Sequence, residues 1–243
     1  MSFAKSVWAG AVCLSILLAP TPSLARTDCR HALALGLDVS GSVDAREYHL
    51  QIKGLVDALG ASSVVNALLS DPLSSVHLYV FEWSGLDDQT PLVGWSEISS
   101  ESDISDIQDA LRATVRRDAT PGTALGDAMQ TGMHALADRA YCDVRTLDIS
   151  GDGKSNQGPE PSTIRDAFKK ANITVNALVI GADSSGTGTL RQAEIGELSS
   201  YFRANVITGA EAFVQIALGY QDYARAMTAK LERELKTMIV SRY

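Results

Sequence analysis

Ala34-Leu35-Gly36-Leu37-Asp38-Val39-Ser40-Gly41-Ser42 decides how the chain is read. Its apolar part, Leu33 to Leu37, has the character of a buried strand. It ends in an acid and two hydroxyls at alternate positions, Asp38, Ser40 and Ser42. Helical periodicity follows over residues 44–60, with Asp44 as N-cap and Glu47 as the reciprocal half of a capping box. The stretch is a strand, an oxygen-rich loop and a helix. Hard cations such as Mg2+ take oxygen ligands, few carboxylates and several waters. Ligands of open α/β sheets bind at the carboxyl ends of the strands. One carboxylate and two hydroxyls at that position meet both conditions.

Downstream, strand and helix patterns alternate. Residues 62–70 continue helical until Asp71-Pro72 breaks them. Residues 76–83, rich in β-branched and aromatic side chains, predict a second strand. A turn over 85–89 and a short strand over 90–95 follow, and so brief a link favours an antiparallel hairpin. An amphipathic helix is predicted over 102–117, with Ile104, Ile107, Leu111 and Val115 on one face. The loop 118–126 leads into a helix over 127–140, and 144–150 is the next strand. A helix over 162–172, a strand over 173–180 and a loop of small residues over 181–189 come next. A helix over 190–200, a short last strand over 205–207 and mostly helix over 210–238 complete the chain. With no repeat and no long linker, this predicts one domain over residues 26–243. Its fold class is α/β, a doubly wound and mostly parallel sheet with one short antiparallel edge strand and helices on both faces.

The first 25 residues stand apart. Lys5, an apolar run over 7–19 and a stretch ending Ser23-Leu24-Ala25 make the pattern of a secretory signal peptide cleaved after Ala25. The apolar run is shorter than the ~20 residues a membrane span needs. Cys13 lies inside it and not at its end, which speaks against a lipid anchor. The mature protein is expected in the periplasm or outside the cell, with no membrane span. Removing Lys5 leaves 20 basic against 29 acidic residues, a net charge of −9 with His neutral. Such a balance, with no basic stripe, makes nucleic acid a poor partner. Of three cysteines, Cys29 and Cys142 remain after cleavage. An even number in an oxidising compartment predicts a disulfide. Cys29 lies nine residues before Asp38 and Cys142 ten before Asp152, so neighbouring parallel strands would bring the two cysteines level. Two independent small buried residues are the alternative.

Two further loops carry oxygen ligands. Pro121-Gly122-Thr123 precedes a helix, and Ser150-Gly151-Asp152-Gly153 follows a strand. Each is weak alone: Asp and Ser before a helix commonly cap it, Thr120 or Thr123 could do the same, and Asp-Gly is a turn signal. Together, at strand ends that one fold sets side by side, they point to a metal. Thr123 is preferred to Thr120 because it follows Gly122, which lets backbone approach closely. Other chemistries lack their residues. His31, His49, His77 and His134 are scattered, with no zinc spacing. There is no Gly-x-Ser-x-Gly elbow, and Gly153-Lys154-Ser155 lacks the upstream glycine of a phosphate loop. Glu82 and Trp83 end a strand near the site and could line a binding face, with Trp83 as plain core the alternative. Asn172-Ile173-Thr174 matches a glycosylation sequon but begins a predicted buried strand.

The set Asp38-x-Ser40-x-Ser42, Gly122-Thr123 and Asp152-Gly153 resembles the metal-ion-dependent adhesion site (MIDAS) of the von Willebrand factor A (VWA) domain. The likeness covers roughly residues 32–233. It implies that Ser40, Ser42 and Thr123 bind the cation directly and that Asp38 and Asp152 act mainly through waters. Neutral hydroxyls leave positive charge on the ion, which then seeks an anionic ligand from outside. The Ser150-Gly151 pair before Asp152 departs from the broad pattern, where many members have Thr. The runs 37–44, 81–85, 148–153 and 201–207 further resemble a bacterial family of exported A-domain proteins, the domain of unknown function 1194.

The function implied is an exported protein-binding module without enzymatic activity, holding Mg2+ (or Mn2+ or Ca2+) whose coordination an acidic side chain of a protein partner completes. A Mg2+-dependent phosphoryl hydrolase with Asp38 as nucleophile is one alternative. Ser40 stands where it would want a second acid. A scaffold with a purely structural metal is the other.

Overall fold

The structure, a computed structural model, describes residues 29–181 and 188–240. The signal peptide predicted over residues 1–25 and most of the loop predicted over 181–189 lie outside them.

Strand β1 (Cys29–Asp38) is buried along its whole length. It runs parallel to β2 (Ser75–Trp83) on one side and to β4 (Val144–Gly151) on the other. Strand β3 (Gln89–Ile98) pairs antiparallel with β2 as the outer edge. Strands β5 (Thr174–Ile180) and β6 (Val214–Ala217) add parallel beyond β4. The order is β3-β2-β1-β4-β5-β6. After β1 the chain builds outward through β2, and it later returns to lay β4 on β1's other side. The loops after β1 and β4 therefore diverge at this reversal and leave a crevice at the carboxyl ends of the strands.

Side chains of β1 alternate between the two faces of the sheet. Leu33, Leu35 and Leu37 enter one core with residues of α1 (Ala45–Leu59), α2 (Ser62–Leu68), α3 (Glu101–Arg112) and α7 (Tyr223–Val240). Ala32 and Ala34 enter the other, with α4 (Leu125–Ala137), α5 (Pro161–Lys170) and α6 (Gly188–Asn205). Each fully buried leucine contributes about 1.5–3 kcal/mol over an exposed one. The capping box at α1 forms as its spacing predicts: Glu47 N donates to Asp44 Oδ1 at 2.8 Å and Asp44 N to Glu47 Oε2 at 2.9 Å. At the far end of the sheet Cys29 and Cys142 are joined in a disulfide, with Cα atoms 4.8 Å apart.

Three expected elements differ. The helix predicted over 102–117 ends at Arg112, and Val115 is 84% exposed. The Thr114 hydroxyl donates to Leu111 O at 2.7 Å and closes the last turn. The extended chain beyond lets the Arg116 guanidinium donate to Val43 O at 2.6 Å and Arg117 pair with Glu82 and Asp88. Those contacts replace another helical turn. In place of the strand predicted over 205–207, Asn205 closes α6 and Val206 and Ile207 form the turn after it, where both backbone N–H groups donate to Phe202 O. The last strand is β6, inside the region predicted as mostly helix, and a short 3-10 turn, Tyr220–Asp222, separates it from α7.

Candidate metal centre

β1 delivers Asp38 to the crevice fully buried, because the strand stays inside the sheet to its last residue. Gln51 of α1 donates to Asp38 O at 3.0 Å and fixes the strand end against the helix. The loop turns back on the carboxylate: Ser40 N donates to Asp38 Oδ1 at 2.8 Å. Ser40 Oγ and Ser42 Oγ lie 3.3 Å apart, and the Ser42 hydroxyl donates to Asp152 Oδ1 at 2.6 Å. Four of the five predicted residues are thus joined by direct contacts across two loops that are 110 positions apart in sequence.

Thr123 arrives on a third loop seated against both others. Gly41 N donates to Pro121 O at 3.2 Å, and a Cβ on Gly41 would stand 3.0 Å from Pro121 Cα, so a larger residue would crowd this approach. Thr123 N donates to Asn156 Oδ1 at 2.9 Å, and Thr123 O accepts from Asn156 N at 2.9 Å. Gly122 is crowded as expected, since a Cβ there would lie 2.2 Å from Gln157 Oε1. Thr120 is committed elsewhere. Its hydroxyl donates to Asp88 Oδ2 at 2.8 Å and accepts from Gly85 N at 3.0 Å, which fastens the β2–β3 turn to the loop.

The electrostatics are those of two carboxyls crowded out of water. Burial, and then the Asp152 charge, push the Asp38 carboxyl up to about 7 against the opposing hydrogen bonding of Ser40 and of the Asp152 backbone. Burial also raises Asp152, with the Ser42 and Tyr220 hydrogen bonds working the other way. Asp38 Oδ2 is buried and has no hydrogen-bond partner. It faces β4's end, 3.4 Å from where a Cβ on Gly151 would sit. An orphaned carboxylate oxygen beside a second acid and two hydroxyls is a donor set that suits a hard divalent cation.

Glu82 and Trp83 do not line an open face. Trp83 is buried in the core, and Glu82 is held between Arg117 and the Tyr48 hydroxyl, which donates at 3.3 Å. Among the described residues, Cys29, His77 and Cys142 bring ligand atoms within 4.8 Å of one another, but the disulfide occupies both sulfurs. His77 is half-buried on its strand, edge-on to Tyr141.

Three residues of the site escape sequence reasoning. Gln51 and Asn156 are amides without a motif. Tyr220, 1% exposed, donates its hydroxyl to Asp152 Oδ2 at 3.3 Å. Its segment reads as featureless helix, so nothing local marks it.

Comparison with known proteins finds chains of similar fold. Solved structures similar in fold include proximal thread matrix protein 1 from the mussel byssus with a zinc-occupied MIDAS motif, 16% identical with a TM-score of 0.59 over 86% of this chain and 46% of that one. The pilus adhesin SpaC from Lactobacillus rhamnosus GG is 15% identical, with a TM-score of 0.58 over 87% of this chain and 31% of its own. A von Willebrand factor type A protein from Catenulispora acidiphila is 14% identical, with a TM-score of 0.55 over 85% and 43%. The chain spans less than half of each of these proteins, and at such identities the likeness is one of fold. No curated protein matches. The model of the family described as Protein of unknown function (DUF1194) matches residues 28–239. This chain, with its VWA-type sheet, belongs to the DUF1194 family.

Proposed function

We propose that the chain is an exported, metal-dependent protein-binding module. Asp38, Ser40, Ser42, Thr123 and Asp152 hold one divalent cation, Mg2+ before Mn2+ or Ca2+, and an acidic side chain of a protein partner completes its coordination. The observation that carries this reading is the buried Asp38 oxygen without a hydrogen bond of ordinary geometry, set beside Asp152 and the two serine hydroxyls. A cation relieves the repulsion and satisfies that oxygen in one step. The ligands supplied are mostly neutral, so the ion keeps positive charge for an incoming carboxylate. Export rests on the signal-peptide pattern over residues 1–25, and among the described residues no helix is long and apolar enough to cross a membrane. The phosphoryl-hydrolase alternative gains nothing from the fold, because Lys154, the cation nearest Asp152 in sequence, pairs with Glu197 at 2.5 Å.

The test is thermal unfolding with Mg2+ or EDTA. Wild type gains RT ln(1 + [Mg2+]/Kd), about 2.7 kcal/mol at a hundredfold excess over Kd. Asp38→Ala and Thr123→Ala lose that gain, while Thr120→Ala lowers stability by about 1–2 kcal/mol and keeps it. A wild type indifferent to Mg2+, Mn2+ and Ca2+ sinks the reading. For the partner, a protein retained on the immobilised chain in Mg2+ must be released by EDTA and fail to bind Asp38→Ala.

A further inference from the structure

β4 and the residue just past it turn alternate side chains, Asp148, Ser150 and Asp152, toward the segment that follows β6. That segment meets each of them. Lys230 Nζ lies 2.7 Å from Asp148 Oδ2, and Tyr223 OH lies 3.2 Å from Ser150 Oγ. The Tyr220 hydroxyl donates to Asp152 Oδ2 at 3.3 Å. The Ser42 hydroxyl already donates to the other oxygen of the same carboxylate. Both oxygens of Asp152 are therefore engaged by protein donors, one from the loop that carries two of the proposed ligands and one from the buried Tyr220 ring.

Calcium takes six to eight oxygens and readily accepts a carboxylate through both of its oxygens, whereas magnesium demands six at shorter distance and keeps several waters. A carboxylate tied at its second oxygen cannot swing to present both to one ion without breaking the tie. We propose that Tyr220 is a positioning residue that sets the site's choice of cation, keeping Asp152 from offering both oxygens to one ion and so favouring Mg2+ over Ca2+. The inference rests on the metal reading above and adds to it which ion the chain selects and by what contact. Tyr220 acts only through Asp152 and is not itself a ligand.

The experiment compares the two affinities, since a residue that merely supports the fold would weaken both ions alike. Calorimetric titration of the full chain with MgCl2 and with CaCl2 gives the Ca2+/Mg2+ affinity ratio for wild type, Tyr220→Phe and Tyr223→Phe. Tyr220→Phe keeps the ring and removes the donor, and it should raise the ratio about tenfold, the size of one hydrogen bond. Tyr223→Phe loses the contact to Ser150 and leaves Asp152 untouched, so its ratio should equal that of wild type. Tyr220→Met, which also lacks a donor, is the second variant should the phenylalanine protein fold poorly, and it should move the ratio the same way. An unchanged ratio in the donor-free variants, or an equal shift in Tyr223→Phe, overturns the inference while leaving the metal reading intact. A wild type that binds neither ion overturns both.

Discussion

Asp38 pairs one carboxylate oxygen with the amide two residues on and leaves the other buried without a hydrogen bond of ordinary geometry. Its carboxyl is pushed up to about 7, first by burial and then by Asp152, from an ordinary value of 3.8. The sign of the consequence is fixed. Between those two values the native state binds a proton that the unfolded chain has given up, so stability contributed at this position falls as pH rises through the window. In EDTA, Asp38→Asn, which cannot ionise, should gain on wild type between pH 4 and pH 7.5, and urea unfolding at the two pH values reads the difference. Equal gaps at both would mean that the carboxyl is not held in its neutral form. Asp38, Ser40, Ser42 and Asp152, the four proposed ligands that the structure joins by direct contacts, were legible as candidates because each lies in a loop that follows the end of a strand. Tyr220 was not. A tyrosine 68 positions from the acid it holds leaves no local trace, and only the packing of the segment after β6 brings it there.

α7 shows at the scale of an element why some of the fold was hidden. Lys230 is completely buried, 2.7 Å from Asp148 and 2.6 Å from Glu234, and Glu234 accepts from Asn176 Nδ2 at 2.7 Å. One ammonium faces two carboxyls, and burial together with the Glu234 charge raises Asp148 to about 7 despite the lysine. Read from sequence, a lysine on a helix belongs to the solvated face, so this anchor between α7 and the sheet is invisible there. β6 was hidden for a different reason: four residues at the sheet edge, three of them only partly buried, give no alternation to detect. Conversely, β1 and α1 were legible because burial along the whole strand and a complete capping box leave little freedom. Removing one member of a buried ionic group strands the others, so Lys230→Met should lower stability by about 3–5 kcal/mol. Adding Asp148→Asn and Glu234→Gln should recover a large part of it, because the stranded charges go with them. Chemical denaturation of the single and triple variants measures both, and a single variant within 1 kcal/mol of wild type would show that the charges find water.

The whole molecule has two fastenings at opposite ends of one strand. β1 begins at Cys29, bonded to Cys142, and ends at Asp38 in the candidate metal centre. Nine residues of extended chain put these about 30 Å apart. The disulfide ties the start of β1 to the turn before β4, across 113 positions of sequence. The proposed cation would tie the ends of the same two strands. Both act on the central pair of the sheet, yet they share no side chain. Sites this far apart with no common partner contribute additively within about 0.5 kcal/mol. Cys29→Ser should therefore cost about 2–5 kcal/mol in EDTA and in saturating Mg2+ alike, and the increment that Mg2+ adds should be the same in variant and wild type. Free-thiol labelling of the native protein checks the premise, since both cysteines must be unreactive. The decisive outcome is the fate of the Mg2+ increment when the bridge is absent. If it vanishes, the strand ends are aligned only because the strand beginnings are bolted together, and the oxygen cluster is not prepared by the sheet itself. If it persists, β1 and β4 hold their register through hydrogen bonding and packing alone, and the crevice between them is a preformed property of the fold.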